Sequence, residues 1–188
     1  MSEKEKPAAS LTEEELLEKL RHGCENENEI LWDLAILYAE THRPMMAFSY
    51  LEKLTSKCSM SIIKAICYMK IGIIMEDVKD YESALMCYQK VYSLKPDMDA
   101  NRYFMNNNIG FCLNQLKRYK EAELYCRDAI KINPTRHNAY IQLGVSLEGQ
   151  EQYQPAAQFY SKAAMICPQD GRPARYFGNL WRRIRELG

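Results

Sequence analysis

Histidine, cysteine and closely spaced acids are the residue types with which chemistry would begin, and this 188-residue chain has two such groupings. His22-x-Cys24 is the only near-contiguous pair of metal-ligating types. His22, His42 and His137 stand far apart, so the pair reads as an ordinary loop. Asp97-x-Asp99-x-Asn101 opens like a calcium loop, but Arg102 occupies the place of the required glycine and Asn108 that of the bidentate glutamate. It reads instead as a helix start with favourably placed acids. No G-x-x-x-x-G-K-[ST], G-x-G-x-x-G or G-x-S-x-G stretch occurs, and Pro134 spoils Asn133-Pro134-Thr135 as a glycosylation site. No catalytic residue, cofactor or metal is expected, and the chain is not expected to be an enzyme.

The bulk composition narrows the partners. Hydrophobic residues make up 47% of the chain, enough apolar surface for one continuous core. The 25 basic and 25 acidic side chains cancel, leaving no global field to attract nucleic acid or an anionic membrane. The longest apolar runs, such as Ile71 to Met75, fall far short of a bilayer span. The seven cysteines form no C-x-x-C pair and read as small buried hydrophobes in a reducing, cytoplasmic setting.

The elements emerge from recurrence. Gly72, Gly110 and Gly144 are each followed by Tyr81, Tyr119 or Tyr153, then Ala84, Ala122 or Ala156, then Pro96, Pro134 or Pro168. From Gly110 to Gly144 every landmark moves by 34 residues, and Gly178 lies another 34 on. Numbering copies from Ala65, Tyr103 and His137 puts glycine at position 8, alanine at 20 and proline at 32. Positions 4, 7, 8 and 11 share one face of a first helix, and positions 20, 24 and 27 one face of a second. Glycine and alanine at facing positions predict close approach of the two helices of each hairpin, small against small. Proline at 32 stops the second helix on schedule.

The pattern resembles the tetratricopeptide repeat (TPR) family, whose W-x-x-L-G-x-x-Y, A-x-x-x-F and final P are matched by Y-M-K-I-G-I-I-M, A-L-M-C-Y and Pro96. The resemblance implies an all-α fold: a right-handed α-α superhelix of TPR helical hairpins, closed by a C-terminal capping helix. Repeats are expected at 65–98, 103–136 and 137–170. A degenerate one at 28–61 has Ala47 at position 20 and Ala35 for the glycine, and a capping helix spans 171–188. Together these make a repeat domain over 27–188. Successive position-20 alanines at 47, 84, 122 and 156 show that two linkers are longer than the last, predicting first helices extended near Met60 and Asp99. Residues 1–10 read as a disordered tail. In 11–26, Thr12 with Glu15 three residues on forms a capping box before an amphipathic helix and linker.

In the resembled family, positions 2, 5, 9, 12 and 13 of the first helices line a concave face where ligands usually bind. Mapped here, they include Glu29, Trp32 and Ile36; Ile66, Met69, Ile73 and Glu76; Phe104, Asn107, Phe111 and Asn114; Asn138, Ile141, Val145 and Glu148; and Arg172, Arg175, Arg182 and Arg183. Positions 2, 5 and 9 are largely apolar, which predicts a peptide-binding groove at Trp32, Ile36, Ile66, Met69, Ile73, Phe104, Asn107, Phe111, Asn114, Asn138, Ile141 and Val145. The asparagines would bond ligand backbone. The competing arrangement packs these residues against one another, or lays the N-terminal helix, with Leu16, Leu17 and Leu20, into the groove.

The family's carboxylate clamp for acidic tails is not met. Met69 and Ile73 stand where its leading lysine and asparagine belong, Asn138 and Gln142 replace the closing basic pair, and only Asn108 fits. The expected function is a non-catalytic protein–protein interaction module, adaptor or chaperone-like, holding a peptide or helical segment of a protein partner. An alternative is a structural homo-oligomer joined through its groove or its charged ends: residues 1–30 carry nine acids and four bases, residues 171–188 five arginines and one acid. A narrower alternative resembles the short, soluble three-repeat chaperones of type III secretion translocators.

Overall fold

The computed structural model describes residues 11–23, 25–41, 43–94 and 99–187. The expected tail at 1–10, Cys24, His42, the helix-stopping Pro96 and Asp97 lie outside them. Among the described residues are ten α-helices and no strand: α1 (Glu13–His22), α2 (Glu27–Glu40), α3 (Pro44–Lys57), α4 (Ser61–Asp77), α5 (Tyr81–Leu94), α6 (Asp99–Gln115), α7 (Tyr119–Ile132), α8 (His137–Gly149), α9 (Tyr153–Ile166) and α10 (Gly171–Leu187). The hairpins are α2/α3, α4/α5, α6/α7 and α8/α9, each packed on the next, with α10 laid against α9. The longer linkers become helix: α4 and α6 each have 17 residues against 13 for α8.

The capping box at the start of α1 forms as the spacing predicts. Glu15 N–H donates to Thr12 Oγ1 at 3.3 Å, and Thr12 N–H donates to the Glu15 carboxylate at 2.7 Å. Leu16 is buried in the main core, and Glu13 receives the Tyr38 hydroxyl and the Arg43 guanidinium at 2.8 and 2.6 Å. This fastens α1 to the outer end of the first hairpin.

The first helices α4, α6 and α8 each end in one turn that the sequence did not announce. Lys79, Lys117 and Glu151 occupy the same position 15 with φ of 63°, 60° and 62°. The next residue then donates back five places: Asp80 to Met75 O at 2.8 Å, Arg118 to Leu113 O at 2.9 Å and Gln152 to Leu147 O at 2.9 Å. This Schellman closure satisfies orphan carbonyls and reverses the chain, and it normally favours glycine at the left-handed residue.

One packing expectation is corrected. The glycines at position 8 are met most closely not by the alanines at position 20 but by the residue at 24, on the next turn of the second helix. A Cβ added at Gly72 would lie 2.6 Å from the Tyr88 ring, at Gly110 2.6 Å from Cys126 Sγ, and at Gly144 2.4 Å from the Tyr160 ring. Glycine is there because an aromatic ring or a sulfur presses flat on the first helix, so large meets absent. The alanines are fully buried beside these contacts.

Candidate functional site

The first helices α2, α4, α6, α8 and α10 carry the expected groove, and polar contacts join consecutive members from α4 onward. Cys112 of α6 lies 3.6 Å from the Glu76 carboxylate of α4. Asn114 of α6 donates to Gln142 O of α8 at 2.9 Å and accepts from Ser146 at 2.9 Å. Arg172 of α10 donates to Asn138 of α8 at 2.8 Å. His137 and Arg172 both meet Asp170, at 2.7 Å each. The Arg172 hydrogen bonds hold the Asp170 carboxyl well below the usual carboxylate range.

These contacts sort the predicted lining. Asn114 and Ile141 are 4% and 2% exposed, so both are withdrawn from any ligand-facing surface: the first is spent on joining α6 to α8, the second packs beside Tyr140 and Ala163. Phe111 is half-buried, with Tyr81 of the preceding hairpin edge-on at 5.8 Å. That contact belongs to a pattern missed in the sequence, in which the tyrosine opening α5, α7 and α9 leans on the first helix of the next unit. Tyr119 would touch a Cβ at Gly149 at 2.5 Å, and Arg183 lies over the Tyr153 ring at 5.8 Å. Asn138 is engaged by Arg172. Trp32, Ile36, Ile66, Met69, Asn107 and Val145 are partly exposed. Asn107 Oδ1 is buried and accepts no hydrogen bond from the described residues. Ile73 and Phe104 are open, at 43% and 41% exposed, with the Arg136 guanidinium 4.5 Å over the Phe104 ring.

Between α2 and α4 the lining deepens into a pocket of ≈ 450 Å³. Trp32, Leu54, Cys58, Ile63 and Ile66 make its walls, with Asn28, Glu29 and Asp33 also lining it. No α1 residue lines it, so the N-terminal helix is not its filling. Leu54 and Cys58, from the end of α3, were not foreseen; only the spatial return of the second helix brings them under Trp32.

The titratable groups along this face are shifted first by burial. Burial lifts the Glu76 carboxyl above its usual range against the pull of hydrogen bonds from Tyr88 and Cys112. Burial, then Glu76, raises the Cys112 thiol far above the ordinary value, and burial pushes Cys126 up to about 12. Burial so disfavours the thiolate that these thiols pack as small apolar groups. Among the described residues no group of three or more histidine, cysteine or acidic side chains could hold a metal ion, and no helix is long and apolar enough to cross a membrane.

Comparison with known proteins follows this geometry. Residues 65–98, 106–136 and 137–170, more than half of the chain, match the tetratricopeptide repeat. The sequence is 26% identical over 155 residues to the BBSome complex member BBS4 homolog of Drosophila melanogaster, covering 81% of this chain and 30% of that protein. It is 32% identical over 92 residues to small glutamine-rich tetratricopeptide repeat-containing protein 2 of Mycosarcoma maydis, covering 49% of this chain and 25% of that protein. The chain thus spans less than a third of either relative. Among solved structures, MamA 41-end from Desulfovibrio magneticus RS-1 superposes with a TM-score of 0.73 at 20% identity, covering 87% of this chain and 88% of that one. At that identity the likeness speaks for the superhelical fold alone.

Proposed function

The chain belongs to the tetratricopeptide repeat family, and on that premise we propose that it is a non-catalytic adaptor whose first-helix face holds a segment of a partner protein. Repeats of this family are protein–protein interaction modules. The finer reading rests on one observation, the ≈ 450 Å³ apolar pocket at Trp32 and Ile66, residues that share the expected first-helix lining with the exposed Ile73 and Phe104. A bulky apolar side chain of the partner fits the pocket, and the carboxylates of Glu29 and Asp33 at the lining favour lysine or arginine beside it. Burying one large apolar side chain contributes about 1.5–3 kcal/mol, so an anchor with two or three further contacts supports roughly micromolar affinity after ordering costs.

Selection of peptides from a random phage-displayed library tests this. The expected consensus is a large apolar residue flanked by basic ones, with affinity reduced at least about tenfold by Trp32→Ala, Ile66→Ser or Phe104→Glu in chains that retain their helical circular dichroism. Selected peptides that bind all three variants as well as the parent chain would refute the assignment of the site.

A further inference from the structure

Two positions of the repeat meet across the hairpin. In α4/α5 the Lys90 ammonium lies 4.9 Å over the ring of Tyr68, and in α8/α9 that of Lys162 lies 5.0 Å over Tyr140. Both pairs join position 4 of the first helix to position 26 of the second. In the hairpin between them, α6/α7, the same positions hold Asn106 and Asp128, so the ring is lost and the charge reversed. Where the ring is missing, between α5, α6 and α7, there is a hollow of ≈ 530 Å³. Asn106, only 5% exposed, forms its floor, and Tyr92, Tyr125 and Ile132 are among its walls. The Tyr92 hydroxyl donates to Asn106 Oδ1, while the Asn106 Nδ2 group donates to none of the described residues. Tyr68 and Tyr140 show that this place in the fold accommodates a ring.

We propose that this hollow is a docking site for a tyrosine side chain of a partner protein, which supplies from outside the ring that the third repeat lacks. The walls choose a flat apolar body, since a phenol can lie edge-on or offset against the rings of Tyr92 and Tyr125. The floor chooses its tip. An occupant that excludes water from Asn106 must offer an acceptor to the unspent Nδ2 group or leave it unpaired at a cost, and the phenol oxygen is such an acceptor. Phenylalanine brings none, and lysine and arginine bring donors only. The rim sets the charge. It carries Arg102 and Lys131 against Asp128, with Lys131 already 2.8 Å from that carboxylate, so a cationic occupant is disfavoured and a neutral ring accepted. The hollow shares no lining residue with the pocket at Trp32 and stands apart from the binding proposed there.

The probe is N-acetyl-tyrosinamide, titrated into the isotope-labelled full chain and followed by NMR. The side-chain amide resonance of Asn106 is expected to move and saturate with a Kd of about 1 mM, the range open to a ligand of this size. N-acetyl-phenylalaninamide, which lacks the acceptor, is expected to bind at least about fivefold more weakly. Asn106→Tyr restores the ring of the neighbouring repeats, so it should keep the thermal midpoint while abolishing the probe's effect on the backbone resonances of Tyr92 and Tyr125. Ile132→Glu, at a wall residue 41% exposed, gives a second variant that leaves the floor intact and is expected to weaken the probe by at least about fivefold. An Asn106 resonance that stays in place at about 20 mM probe overturns the proposal. Equal affinity for the phenylalanine amide also overturns it, as does undiminished binding by both variants.

Discussion

The Tyr160 hydroxyl donates a 2.8 Å hydrogen bond to the Glu148 carboxylate, twelve residues back across the α8/α9 hairpin. The same bond recurs at 2.7 Å from Tyr88 to Glu76 in α4/α5. In the hairpin between them Cys126 replaces the tyrosine and Asn114 the glutamate, and Asn114 turns away to Ser146. Positions 12 and 24 thus vary together because each buried polar group needs a partner. Tyr160→Phe is expected to destabilise the chain by about 1–3 kcal/mol in urea unfolding, since a carboxylate loses its donor in a half-buried place. A change within about 0.5 kcal/mol, the scatter of ordinary surface substitutions, would show that the bond is idle.

Glu76 predicts a pH signature. Its folded pKa is raised, by burial first, so the stability it contributes is complete below the ordinary glutamate value and is lost as pH rises through the folded value. Glu76→Gln lacks that loss. The variant should therefore gain on the parent chain in urea midpoint between about pH 4 and pH 7, and a constant difference across that range would contradict the assignment.

Asp170 predicts the opposite slope. Its folded pKa is lowered, chiefly by Arg172, so its contribution is present above the ordinary aspartate value and disappears as pH falls through the folded one. Asp170→Asn should be less stable than the parent at neutral pH, with the deficit shrinking as the solution is taken below about pH 4. If the deficit instead persists unchanged in acid, the Asp170 contacts with His137 and Arg172 are not its source.

The left-handed turns offer a gain. Lys117 sits at φ 60° with no glycine's freedom, and its side chain is exposed, so Lys117→Gly should raise stability by about 0.5–1 kcal/mol, while Lys117→Val should lower it. Thermal unfolding of the two variants decides the point. A fall with glycine would mean that the lysine side chain does more than tolerate the turn.

What the sequence made legible was whatever repeats along one helix. The glycine, tyrosine, alanine and proline landmarks give four hairpins and a fifth first helix, and Thr12 with Glu15 gives the start of α1. The rest depends on how units are rotated against each other, which no spacing encodes. Asn114 and Ile141 belong by count to the same set of first-helix lining positions as Phe104 and Ile73, yet the first two are buried and the others exposed. Leu54 and Cys58 reach the Trp32 pocket from another helix. Lys79, Lys117 and Glu151 take a glycine's conformation without its signature.

Two glycines at one repeat position should answer alanine in opposite ways. At Gly144 the new Cβ falls 2.4 Å from Tyr160, and that ring cannot retreat: Glu148 holds its hydroxyl and Tyr176 stacks on its other side with centroids 5.4 Å apart. Gly144→Ala should therefore cost about 1–3 kcal/mol by overpacking. At Gly178 the Cβ meets nothing, and alanine's better helix propensity should stabilise α10 by about 0.5–1 kcal/mol. Urea unfolding of both variants separates an occupied hairpin face from an open one. If Gly178→Ala also destabilises, something in the folded chain covers that face.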